Sequence, residues 1–180
     1  NFQNCKLVHI NINRGIRFIA DIISLFLLIY IFIIHKPKIA FSLTPKGGFI
    51  SSISSFLSMT PVRIHWFGGQ VWFNKVGVFR YILKLTDKII SLLSTDLLTE
   101  CNSQLNFLLK NKIVKNNKIQ ILGNGSISGV NHNIFYKNIS QRNIIRNKLN
   151  IENETLVILY LGRLNAEKGV YDLIDAFNNI

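Results

Sequence analysis

Apolar and polar positions follow two rhythms along this chain. Short apolar runs at residues 6–12 (KLVHINI), 38–43, 62–66, 96–101, 118–122 and 156–161 read as strands. The stretches between them place apolar residues at helical spacing, and predict helices over 16–34, 49–58, 78–93, 103–110, 140–149 and 170–177. Turn-forming residues punctuate the series at Thr44-Pro45-Lys46-Gly47-Gly48, at 67–76, at 123–133 and at Gly162. Strands separated by helices predict an α/β fold with a Rossmann-like parallel sheet. In such sheets ligands bind at the carboxyl ends of the strands, and all four turns fall there.

The 16–34 stretch approaches the length of a membrane span. Arg17, Asp21 and Ser24 interrupt it on one helical stripe, and Arg17 and Asp21 are spaced to pair across one turn. It reads as a core helix covering the 38–43 strand, with an interfacial helix and a true span as alternatives. The helix at 78–93 carries Arg80, Lys84 and Lys88 at intervals of four, just after Trp72, Phe73 and Lys75. That combination suits either a solvated outer face or a surface resting on anionic lipid.

Composition narrows the partners. Hydrophobic residues make up 48% of 180 residues, enough for a packed core. The formal net charge is +12, from 21 Lys and Arg against 9 Asp and Glu, so anionic partners are expected. Nucleic acid, anionic lipid and phosphorylated substrates all satisfy that charge. The cations are scattered, however, and no helix-turn-helix, zinc finger or aromatic RNA-binding motif appears, which argues against nucleic acid. Cys5 and Cys101 lie far apart, and His9, His35, His65 and His132 form no close pair. No metal and no disulfide framework are expected, in keeping with a cytoplasmic protein.

The densest chemistry lies at Leu161-Gly-Arg-Leu-Asn-Ala-Glu-Lys-Gly169, between a strand-like run and a helix-like one. Gly162 permits a sharp turn, Arg163 offers a planar fork of donors, and Lys168 adds a compact charge. With the first amides of the following helix, these make a place for a phosphate. The segment resembles the Gly-Arg-Leu-x-x-Glu-Lys-Gly turn of family 4 glycosyltransferases of the GT-B fold. Three further stretches are similar to those of bacterial members that build capsule, O-antigen and exopolysaccharide. They are Ser42-Leu-Thr-Pro-Lys-Gly-Gly48, Arg63-Ile-His-Trp-Phe-Gly-Gly-Gln-Val-Trp72 and Leu122-Gly-Asn-Gly-Ser-Ile-Ser-Gly-Val130, and Ser103-Gln104 also fits.

The resemblance implies a hexosyltransferase that retains anomeric configuration and needs no cofactor or metal. Its donor would be a nucleotide-diphosphate sugar, with Gly162, Arg163 and Lys168 on the diphosphate. Its acceptor would be a saccharide, polyprenyl-linked, at the inner face of the cell membrane. Lys46, Gly47, Gly48, Gly68, Gly69, Gly125 and Ser126 would line the substrate cleft. Catalytic residues stay unassigned; His65 and Glu100 are candidates, although Phe67 precedes Gly68 where many members carry a His-Gly pair. The resemblance also implies a fragment. Residues 1–138 would be the later part of the N-terminal, acceptor-side domain and 139–154 a linker. Residues 155–180 would open the donor-binding domain, as a lone strand and helix without sheet neighbours, so the fragment alone is expected to be inactive. A nucleotide-sugar epimerase of the same fold, and a basic nucleic-acid-binding module, are the alternative functions.

Overall fold

A computed structural model describes residues 5–13, 15, 17–126 and 129–179. The expected helix start at Ile16, and Ile127 and Ser128 of the 123–133 loop, lie outside the described residues. Two compact units form, Asn1–Gly129 and Val130–Ile180.

The first unit is the expected α/β fold. Helix α1 (Phe18–His35) precedes strand β1 (Ile39–Ser42), and α2 (Pro45–Leu57) leads to β2 (Val62–Phe67). Helix α3 (Gly77–Leu93), β3 (Asp96–Thr99), α4 (Asn102–Lys110), a 3-10 turn (Asn116–Lys118) and β4 (Ile119–Ile121) follow. The strands lie in the order β1-β2-β3-β4, all parallel. Right-handed crossovers in that order put α2 and α3 on one face of the sheet. There Phe67, Trp72, Ile90, Leu97, Leu108, Ile113, Val114 and Ile119 form the core.

Helix α2 begins four residues earlier than expected. Pro45 takes the first helical position, where its missing N–H is no loss and its φ is already helical, so the glycine pair lies inside the first turn. At the far end of α3, Arg63 Nε donates to Leu93 O at 2.7 Å. Lys118 Nζ donates to Leu92 O at 3.2 Å and also to Ser91 O. Two cations thus meet the negative end of that helix dipole.

Two expectations fail in this unit. Residues 6–12 form no strand: they pair with none of the four strands among the described residues, although β1 and β4 are both edge strands. Helix α1 is not a core helix either, since only Ser24 on it is buried. Its polar stripe turns inward: Asp21 Oδ2 accepts from the Arg17 amide at 3.2 Å, and Asp21 Oδ1 pairs with Lys46 of α2 at 2.6 Å. Ser24 Oγ donates to Ala20 O at 2.8 Å and approaches Asn11 O at 3.1 Å. Those groups need partners, and meeting them sends Phe18, Ile19, Ile23, Phe26 and Tyr30 outward. By length and composition alone α1 could cross a membrane, a test that core helices also pass.

Trp72 fastens the loop between β2 and α3. Its indole is 1% exposed, stacks on Phe107 with ring centroids 5.2 Å apart, and donates from Nε1 to Asp87 Oδ2 at 2.7 Å. Burial raises the Asp87 carboxyl to about 6, against the opposing pull of the Trp72 hydrogen bond. The neutral acid is therefore the form that the fold favours.

The second unit holds α5 (Ile139–Lys148), a 3-10 turn (Ala166–Lys168) and α6 (Val170–Asn178). Asn138 Oδ1 caps α5 by accepting from the Gln141 amide at 2.9 Å. The buried Arg146 donates to the carbonyls of Glu152, Asn153 (3.2 Å) and Thr155 (2.6 Å), which folds the 152–155 loop around one guanidinium. Residues 156–161 pair with no strand among the described residues, because this unit has no sheet for them to join.

The Asp87 carboxyl yields a test by linkage. A carboxyl raised in the folded state contributes most below its unfolded value and loses that contribution as pH rises through about 6. Chemical denaturation from pH 4 to pH 7 should show Asp87→Asn gaining about 2–3 kcal/mol on the parent protein. A difference independent of pH would contradict the buried neutral acid.

Candidate functional site

The end of β3 and the loop after β2 in the first unit are joined by one side chain. Gln104, in the first turn of α4, accepts at Oε1 from the Thr99 hydroxyl and from the Glu100 amide, the latter at 3.0 Å. Its Nε2 donates to Gly68 O, which also receives Gln70 Nε2 at 2.8 Å. The loop after β2 is thus tied to the end of β3. The loop after β4 joins the same edge, with the Ser126 amide donating to Glu100 O at 2.9 Å. Gly125 makes that approach possible: its φ is +86°, and a Cβ there would run into Glu100 O. At Gly68 and Gly69 a Cβ would meet nothing within 4 Å, so space stands open over that part of the edge.

His65 lies beneath this edge. Its ring is buried between β2 and α2, with Nδ1 2.8 Å from Ser42 Oγ and an edge-on contact to Phe67 at 4.7 Å. Gly48 provides the room, since a Cβ at that position would run into the ring. Burial lowers His65 to about 4, so the imidazole is neutral near pH 7. Lys46 is committed elsewhere: beside Asp21, its Nζ donates to Asn13 O at 2.8 Å and Gly15 O at 2.5 Å. Burial alone would raise Asp21, but Lys46 and the Arg17 amide outweigh it and hold the carboxyl below its ordinary value.

In the second unit Arg163 and Lys168 are exposed on one short turn that ends at α6. Neither side chain makes a hydrogen bond or ion pair among the described residues. The Tyr160 hydroxyl donates to Arg163 O at 2.8 Å and lies 3.5 Å from Lys168 O. The turn is closed further by the Asn165 amide on Arg163 O at 2.9 Å and the Lys168 amide on Asn165 O at 3.1 Å. Gly162 sits against the Tyr160 ring, with its would-be Cβ 3.1 Å from the hydroxyl. The turn thus carries two exposed cations next to the N-terminus of α6, where the helix dipole is positive. Asp172 in the first turn of α6 shares that helix end.

Several expected residues therefore come together and others do not. Gly68, Glu100, Gly125 and Ser126 converge on the sheet edge of the first unit, with Gly69 beside them. Gly162, Arg163 and Lys168 share the turn of the second. His65 and Lys46 turn inward; Gly47 and Gly48 pack within the first turn of α2, Gly47 against Thr44 and Gly48 against His65. Sequence reasoning missed Tyr160, whose only signal is a hydroxyl two residues before the glycine of the turn. Cys101 is exposed at the start of α4, with its thiol lowered chiefly by the Ser103 hydroxyl 3.0 Å away. Among the described residues, no three His, Cys, Asp or Glu side chains gather as metal ligands.

No family model matches the chain. It is similar to the capsular polysaccharide biosynthesis glycosyltransferase CapM of Staphylococcus aureus, with 33% identity over 172 residues. That match takes in 95% of this chain and 44% of CapM, so the chain spans less than half the length of this relative.

His65 supplies a prediction of opposite sign to that of Asp87. A histidine lowered to about 4 gives its full contribution above pH 6.5 and loses it as pH falls toward 4. Between pH 7 and pH 4, His65→Gln should therefore recover about 3 kcal/mol relative to the parent protein in chemical denaturation. An unchanged difference would place a charged or exposed imidazole there instead.

Proposed function

We propose that the protein is a retaining glycosyltransferase. It moves a hexose from a nucleotide-diphosphate donor to a polyprenyl-linked saccharide, in the synthesis of capsule or a related cell-surface polysaccharide. The reaction takes place at the cytoplasmic face of the membrane. The observation that carries this reading is the exposed, unpaired Arg163 and Lys168 held on one turn by Tyr160. The similarity to CapM supports it.

The chemistry follows from the charge. As the glycosidic bond to the donor breaks, negative charge builds on the leaving diphosphate. Arg163, Lys168 and the first amides of α6 stabilise that charge, more strongly in the transition state than in the bound donor. The sheet edge around Gly68, Glu100 and Ser126 belongs to the acceptor-side domain, and its open space over Gly69 admits the acceptor sugar. Residues 1–138 form that domain, 139–154 the linker, and 155–180 the opening of the donor-binding domain. The reading needs no metal or cofactor.

Transfer from nucleotide sugars to a polyprenyl-diphosphate saccharide by the full-length protein tests it. Arg163→Ala and Lys168→Ala should each lower kcat/KM by on the order of 10²–10³. Tyr160→Phe, which keeps both cations but frees the turn, should cost about tenfold. Parental turnover in both cation variants, with unchanged unfolding midpoints, would overturn the assignment.

A further inference from the structure

The wedge that Trp72 drives into the core has an outward consequence. With the indole held by Asp87 and Phe107, the residues on either side of it, Val71 and Phe73, are thrown outward. The loop is closed by the Phe73 amide on Gln70 O at 3.0 Å and the Lys75 amide on Trp72 O at 3.2 Å. Phe73 is 61% exposed, Val76 83%, Val78 77% and Tyr81 70%. Helix α3 buries its opposite stripe, with Asp87, Ile90 and Ser91 inward, so these apolar side chains are not part of the core.

The charge around them has one sign. Residues 62–86 contain no Asp or Glu, and the nearest acid along the chain, Asp87, is buried against Trp72. Arg80 and Lys84 lie over the Trp72 ring at 5.8 Å and 5.3 Å, which stations both cations beside the apolar patch. Lys75 and Lys88 add to them. Apolar and aromatic side chains interleaved with cations match the boundary between acyl chains and anionic headgroups. Burial of the former and Coulomb attraction to the latter act together there. The loop starts at Gly68, so the patch and the open edge of the sheet share one segment of backbone.

We propose that the 71–82 segment, with Phe73, Val76, Val78 and Tyr81 inserted and Lys75, Arg80 and Lys88 on the headgroups, docks the protein onto an anionic phospholipid bilayer. The proposal gives a surface to the membrane location of the proposed transferase, but it stands on lipid binding alone. Turnover and docking can therefore fail separately.

Co-sedimentation of the full chain with vesicles tests it. Vesicles of equimolar phosphatidylglycerol and phosphatidylcholine are compared with phosphatidylcholine alone. The parent protein should prefer the anionic vesicles by at least about tenfold, since each cation near the surface contributes on the order of 1 kcal/mol. The triple variant Phe73→Ser, Val76→Ser, Tyr81→Ser should lower partitioning by at least about tenfold. Arg80→Glu with Lys88→Glu should erase the preference for phosphatidylglycerol. Unfolding midpoints and sedimentation velocity establish that each variant is folded and in the parental association state. Four results would overturn the proposal. The parent protein could fail to bind anionic vesicles, or the triple variant could bind as the parent does. Binding could instead be lost on Ile23→Ser with Phe26→Ser, which would move the surface to α1. Or the triple variant could dissociate a parental dimer while still binding lipid, which would make the patch a contact between copies.

Discussion

All four strands end on the same edge of the sheet, and the Gln104 carboxamide ties two of its neighbouring segments together. One planar group accepts from Thr99 and Glu100 and donates to Gly68, so the end of β3 and the loop after β2 cannot move independently. Glu100 O passes the constraint on to the loop after β4 through the Ser126 amide, and Gly125 keeps that path free of a Cβ. A parallel sheet collects loops at one edge by topology alone. What makes them a surface of fixed form here is that their backbone groups are satisfied by one another.

Beneath that edge, polar residues are placed as carefully as apolar ones. His65 is neutral because it is buried, and it can be buried because position 48 has no side chain. Burial against Trp72 raises the Asp87 carboxyl to about 6, and Trp72 fixes the loop that starts at Gly68. These two groups pull stability in opposite directions between about pH 4 and pH 6, so each masks the other's titration in the parent protein. On α1 the Asp21–Lys46 pair and the Ser24 hydroxyl decide which side faces inward, although the helix is otherwise almost wholly apolar.

Much of this was legible in the residues. Strand-like runs followed by glycine turns gave the order of elements, and helix boundaries fell close to their expected places wherever a turn residue marked them. Pro45 was the exception, because the glycines after it disguised a first helical turn. Pairing was harder to read: residues 6–12 and 156–161 carry the composition of strands, but a strand exists only where it pairs with another, and no local pattern encodes that partner. The orientation of α1 was hidden for a similar reason, since its polar stripe could point to water or to α2, and only the position of Lys46 decides. At the candidate site, the Arg163 and Lys168 motif was plain from spacing. Tyr160, which closes the turn, gave no periodic or compositional signal, and Lys46 was expected in the cleft because its partners on α1 and at residues 13 and 15 lie far from it in sequence.

The proposed transfer depends on recognition of a diphosphate by the turn between residue 161 and α6. Titration calorimetry of the full-length protein with nucleoside diphosphates and the matching monophosphates addresses it most directly. The account predicts that at least one diphosphate binds about tenfold or more tightly than its monophosphate, and that Arg163→Ala with Lys168→Ala removes this preference while leaving the fold intact. Equal affinity for the two phosphates, or a preference that survives loss of both cations, would contradict it.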